Sequence, residues 1–300
     1  MARIISDLKN RFLAENIVGR FIYINVGVFI FFALLDVVGT LFNFSSSPAL
    51  YLKMWLELPS APEQYIVQPW SLVTYMFLHG GLTHILWNML ALYWFGKIFL
   101  SFFSTRHFVG LYLLGGIVGG LFFIAAYNIF PKFTSTGNHA NLVGASAAVL
   151  AIVAASAVRV PDYKINLLLI GTVKLSTLAV ATVIIDLLLI TSDNAGGSFA
   201  HLGGAFSGWA FAYFLNKGRD LTLYINKALD YLANMCKNGI KRPRKPKMNI
   251  FKGKRTDDYD YNVQKKEQDA EVDKILEKLK KSGYSSLTEE EKKRLFDASK

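Results

Sequence analysis

Of 300 residues, 52% are hydrophobic and only 18% charged, with a formal net charge of +11. The charge is unevenly spread: residues 1–216 hold 11 Lys and Arg against 8 Asp and Glu, and residues 217–300 hold 22 against 14, so an apolar body precedes a basic tail. One cysteine, Cys236 in that tail, excludes an internal disulfide framework and argues against cysteine-based hydrolysis.

In chain order, residues 1–20 mix Arg3, Asp7, Lys9, Arg11, Glu15 and Arg20 ahead of the first apolar stretch, which reads as a retained anchor rather than a cleaved signal. Apolar runs of about twenty residues can cross a bilayer as helices. Six are predicted, over 21–42, 84–103, 107–130, 144–158, 165–190 and 198–216, giving an all-α, polytopic membrane domain over 21–216. A soluble helical core is the competing reading, and so many long apolar runs weigh against it. The connector Asn43 to Gln68 contains Pro48–Leu56, an amphipathic stretch suited to the outer membrane interface. Asp36 and Lys174 stand out within spans one and five and are expected to snorkel to opposite surfaces.

Lys and Arg favour cytoplasmic connectors. Lys97 and Arg106 follow span two, Arg159 and Lys164 follow span four, and the tail is basic, whereas the alternate connectors carry only Lys53 and Lys132. Both termini are therefore predicted cytoplasmic, with spans two, four and six all entering from outside. That orientation puts Ser146, at the start of span four, and His201, near the start of span six, at similar outer depth. Gly204 and Gly208 on span six, and Ala147, Ala151 and Ala155 on span four, are small residues at four-residue spacing that permit close helix packing.

Serine is a weak nucleophile until a neighbouring base takes its proton. His201 is the candidate base for Ser146, with His139 in the outer connector as a competitor. His84 and Asn88, four residues apart on span two, share a helical face and can donate to an oxyanion together with the Ser146 main-chain N–H. The bland alternative is that they only join helices. Asp193 could orient a histidine, although a solvated loop aspartate is the simpler reading. A metal site made by His79, His84 and His201 is disfavoured: no acid lies in residues 64–161, and His79 and His84 are five apart. No metal or cofactor is expected.

Three separated motifs resemble the rhomboid intramembrane serine proteases. They are His79, His84 and Asn88; Gly144 to Ala147 around Ser146; and Gly196, Ala200, His201, Gly204 and Gly208. The resemblance covers residues 21–216 and implies a six-span bacterial type of bundle with a Ser146–His201 dyad. It also implies His84 and Asn88 at the oxyanion hole, a structural role for His79, and a water-filled cavity open to the outside. The chain departs from the pattern in having Ala147 where glycine is usual, Leu150 where many members place a tyrosine that stacks on the histidine, and no Trp-Arg pair in the first loop.

The tail divides into an interfacial helix and basic segment over 217–247, a polar linker over 248–268 and a small helical module over 269–300. Leu221, Tyr224, Ile225, Ala228, Leu229 and Leu232 follow helical spacing, and Lys241 to Lys247 suits anionic lipid rather than nucleic acid, with a solvated topology anchor as an equal alternative. In the module, Thr288 and Glu291 fit a capping box. Ile275, Leu276, Leu279, Tyr284, Leu287, Leu295 and Phe296 are expected to pack together. The segment resembles a C-terminal module of some bacterial rhomboids, with an unknown docking partner. The functional expectation is an intramembrane serine endopeptidase acting on transmembrane protein substrates in a bacterial inner membrane. A non-catalytic rhomboid-like protein that binds or escorts membrane clients is the alternative.

Overall fold

The computed structural model describes residues 12, 15–43, 48–134, 140–167, 171–192, 194–238 and 271–298. It forms two compact units, Met1–Gly239 and Ile240–Lys300. The first contains α1 (Ile17–Leu41), α2 (Pro48–Leu56), β1 (Leu58–Pro59), α3 (Leu82–Leu100), α4 (Thr105–Ile129), β2 (Asn141–Leu142), α5 (Ser146–Arg159), β3 (Lys164–Leu167), β4 (Gly171–Lys174), α6 (Leu175–Leu188), α7 (Ala195–Asn216) and α8 (Leu223–Asn238). Local chemistry sets two of the starts. Asn16 caps α1 by accepting from the Gly19 N–H at 3.0 Å, and Ser104 caps α4 by accepting from the His107 N–H at 3.2 Å.

The fold is a helical bundle built around α5, in which every residue from Ala147 to Ala157 is buried. A helix apolar on all sides can be satisfied only in such a central position. Small residues set how closely its neighbours approach. A Cβ at Gly204 or Gly208 of α7 would meet the carbonyls of Ala147 or Ala151, and one at Gly115 or Gly119 of α4 would meet the side chains of Ala151 or Ala147. The α5 alanine ladder is thus gripped from two sides, while the sequence pattern had suggested only the α7 side.

Many large apolar side chains face outward from the bundle. Ile30, Phe31 and Leu34 on α1, Trp87 on α3, Ile185 on α6 and Trp209 on α7 are all exposed. Such an apolar coat suits a hydrocarbon solvent. By length and composition alone, α1 and α4, with mean hydropathies of 2.3 and 2.2, can each cross a membrane.

Span five differs from its predicted limits of 165–190. Residues 164–167 and 171–174 pair as an antiparallel ribbon, Ile165 opposite Val173, and α6 begins only at Leu175. Short apolar runs do not distinguish strand from helix by periodicity, and Thr172 and Val173 are β-branched. Lys174 is accordingly not inside a span: its Nζ meets Asp162 Oδ1 at 2.7 Å on this exposed ribbon. Asp36, on α1, pairs with Lys53 of α2 at 2.7 Å.

A second strand pair fastens the first connector to the approach to Ser146. Leu58 stands opposite Leu142 and Pro59 opposite Asn141. The Ser60 N–H donates to the Ala140 carbonyl at 2.9 Å, and Asn141 Nδ2 donates to Glu57 Oε2 at 3.0 Å. On the far side of this connector the Trp55 and Trp70 rings stack at 5.8 Å, and Trp70 Nε1–H donates to the Trp55 carbonyl at 2.7 Å.

α8 rests on α4, with Thr222 buried against Gly110 and Arg106 paired to Asp230 at 3.2 Å. Tyr224, Tyr231 and Leu232 remain exposed along it. The basic segment 241–247 and linker 248–268 lie outside the described residues. The second unit contains α9 (residues 271–282) and α10 (Glu289–Asp297), joined through a turn at Tyr284–Ser286. Its capping box forms: the Thr288 N–H donates to Glu291 Oε2 at 2.7 Å, and the Glu291 N–H donates to Thr288 Oγ1 at 3.3 Å. Ile275 and Leu287 are buried, whereas Leu276 and Tyr284, expected to join them, are exposed, because two short helices bury only a narrow seam.

Candidate active site

Ser146 is the first residue of α5, where main-chain N–H groups have no partner within the helix. The segment before it is held by the Gly144 N–H, which donates to the Tyr75 carbonyl at 3.0 Å. Tyr75 is itself fixed by its hydroxyl, which donates to the Gly116 carbonyl at 2.7 Å. Gly144 has φ +123°, a conformation that side chains disfavour, and a Cβ there would lie 2.8 Å from His84 Nε2. The glycine of the serine motif is therefore required both by the backbone turn and by the imidazole behind it.

His201 lies in the second turn of α7. Its Nε2 is 2.7 Å from Ser146 Oγ. At the opposite ends of the same two helices Arg159 Nη1 donates to Asn216 Oδ1 at 3.2 Å, so α5 and α7 run side by side in the same direction. The small-residue packing described above is what allows a short serine side chain to reach across the gap.

A third residue completes the cluster. His201 Nδ1 is 2.8 Å from Asp186 Oδ1, on the last turn of α6. Asp186 is only 5% exposed, and its other oxygen has no hydrogen-bond partner among the described residues. A carboxylate only accepts, so Nδ1 carries the ring proton and Nε2 is left to accept from the serine hydroxyl. The sequence reading missed Asp186 and offered Asp193 for this place. Asp193 and the competing base His139 fall outside the described residues. A usable signal was present, since Asp186 is an acid within an apolar run, the same oddity that drew attention to Asp36 and Lys174.

Ser146 and His201 open onto a cavity of about 930 Å³ that is also lined by His84, Asn88, Trp87, Leu150 and Gly197. The Gly80 N–H donates to His84 Nδ1 at 3.4 Å, which leaves Nε2 of that ring as the donor facing the cavity side. Asn88 donates to the His84 carbonyl at 2.9 Å and keeps one amide hydrogen. His79 is not in this cavity. It lines a second one, of about 390 Å³, beside Asp36, Lys53 and Glu57, and its ring stands edge-on to His84 at 5.2 Å. Its own nitrogens are buried without well-formed hydrogen bonds, and burial followed by the neighbouring His84 pushes its pKa down to about 4. Among the described residues no three His, Cys, Asp or Glu side chains gather as metal ligands.

Several curated proteins are similar to this chain. Presenilin-associated rhomboid-like protein A, mitochondrial, of Danio rerio is 28% identical over 141 residues, covering 46% of this chain and 35% of that protein. Two proteins of Arabidopsis thaliana match comparably. RHOMBOID-like protein 12, mitochondrial, is 31% identical over 45% of this chain and 43% of its own length. RHOMBOID-like protein 9, chloroplastic, is 34% identical over 41% and 27%. The chain thus spans less than half the length of these relatives. Residues 255–300 match a family of unknown function (DUF6576). The rhomboid domain matches residues 67–218, just over half of the chain and the whole of the Ser146–His201 cluster, so the chain belongs to the membrane-embedded rhomboid family.

Proposed function

We propose that this protein is an intramembrane serine endopeptidase that cuts peptide bonds in or near transmembrane segments of other membrane proteins. The observation that carries the reading is the 2.7 Å contact of Ser146 Oγ with His201 Nε2, at the wall of a cavity rather than in a packed core.

In the proposed reaction Ser146 Oγ attacks the scissile carbonyl carbon while its proton passes to His201 Nε2. The carbonyl oxygen becomes an oxyanion within reach of the Ser146 main-chain N–H, His84 Nε2–H and the Asn88 carboxamide. Collapse breaks the C–N bond as His201 returns the proton to the leaving amine, and a water activated by the same ring then releases the acyl group. A regular helix hides its carbonyls in internal hydrogen bonds, so substrates that unwind near the outer surface, with small side chains at the cut, are the preferred class.

The proposed setting is a multi-pass bundle of six spans with both termini cytoplasmic and the site towards the outer face. α8 and the basic segment 241–247 would lie on anionic lipid. The test is cleavage of a model transmembrane substrate by the purified protein. Ser146→Ala and His201→Ala should each lower kcat by at least about 10³-fold. Equal cleavage by all three proteins would overturn the mechanism, and an inert wild type against a substrate panel would favour a client-binding protein.

A further inference from the structure

We propose that Asp186 is a positioning residue for His201, so that the hydrolytic pair works as a hydrogen-bonded chain from Asp186 through His201 to Ser146. This rests on the protease reading above.

Two observations besides the 2.8 Å contact carry it. The first is where α6 puts its buried residues. Along the helix proper only Leu175 and Asp186 are buried, while neighbours of Asp186 such as Ile185, Leu187 and Leu188 are exposed and apolar. A helix that otherwise presents hydrocarbon outward thus turns its one carboxylate inward. Burying an acid is costly unless it is paired, and the partner found for it is the histidine that faces the serine. The second is that Asp186 Oδ2 has no hydrogen-bond partner among the described residues, so the imidazole is the polar partner recorded for this buried carboxylate. Asp186 thus fixes the ring from its Nδ1 side.

The chemical consequence is specific. With Oδ1 accepting from Nδ1–H, the imidazole can neither turn over nor exchange tautomers, and the Nε2 lone pair stays aimed at Ser146 Oγ. When Nε2 takes the serine proton, the ring becomes an imidazolium whose charge is stabilised by the fixed carboxylate. No proton passes to Asp186, and the Nε2 proton goes on to the leaving amine as the C–N bond breaks.

The experiment uses the full chain in detergent micelles. Asp186→Asn keeps the shape but can present its NH2 to Nδ1, stabilising the wrong tautomer. Its kcat should fall by about 10²-fold or more with KM changed by less than about threefold, and Ser146 labelling by a fluorophosphonate should slow in parallel. A structural tether alone would lower thermal stability and leave kcat near wild type, and that result overturns the proposal. An independent reading needs no Asp186 variant: ¹⁵N-histidine spectra of the wild type at pH 8, with the His201 signal identified by its loss in His201→Ala, should show the proton on Nδ1. A neutral His201 protonated on Nε2 overturns the assignment even if Asp186→Asn does not fold. Wild-type protein that resists the fluorophosphonate altogether would instead count against the protease reading, whatever the tautomer.

Discussion

At the scale of single residues the site depends on what lies behind it. Gly144 and His84 occupy adjoining space, with a Cβ at 144 falling within 3 Å of the ring. Gly144→Ala should therefore displace His84 and strain the φ +123° turn, lowering kcat by about 10-fold or more with Ser146 intact, measured by substrate cleavage beside fluorophosphonate labelling. On the proposed mechanism, loss of an oxyanion donor gives a different signature. His84→Ala or Asn88→Ala should lower kcat by about 10²-fold while KM stays close to wild type. His79, in the connector before α3, predicts a pH dependence of stability instead. Its folded pKa of about 4 lies below the ordinary value of 6.5, so the contribution of the neutral ring is complete above about 6.5 and is lost as pH falls towards about 4. Thermal denaturation across that window should show stability falling with pH, less steeply in His79→Gln; parallel curves would show that the ring is not the titrating group.

At the scale of elements the α4–α5–α7 contact fixes how His201 approaches Ser146. Gly204→Val would push a branched side chain into the Ala147 carbonyl, one residue from Ser146. It should destabilise the bundle by about 1–3 kcal/mol or more and reduce activity, whereas Gly218→Val, whose Cβ position meets nothing within 4 Å, should be far milder in its effect on activity despite its strained φ. The apolar runs, the serine and the histidine were legible in the sequence because membrane helices announce themselves by length and because rare polar residues stand out at their ends. The start of span five was not, since an apolar hairpin and an apolar helix share a composition. Asp186 was overlooked for a related reason. Fifteen residues before His201, it shares no helix with it, and only the packing of α6 on α7 brings the two together. The glycines of α4 were likewise visible, but nothing in their spacing named α5 as the surface they meet.

At the scale of the molecule the two units call for separate tests. The membrane unit has a proposed orientation that labelling can check: a cysteine introduced at Lys132 in a Cys236→Ser background should react with an impermeant maleimide added outside intact cells. Reaction only after permeabilisation would reverse the topology and move Ser146 to the other side. In the terminal unit, the main-chain N–H of Thr288 and then the Lys278 ammonium hold Glu291 below the usual carboxylate range. A depressed folded pKa means that its contribution is present above the unfolded value and disappears as pH falls through the folded one.

The two-residue strand pair at Leu58 and Leu142 gives Ser146 an external anchor. Ser146 follows Leu142 by only four residues, and Leu58 lies two residues beyond the end of the connector helix α2, whose Trp55 is stacked on Trp70. A displacement of that connector has a short mechanical path to the Ser146 hydroxyl. The connector is in this sense a lever on Ser146, able to shift its position without touching its side chain.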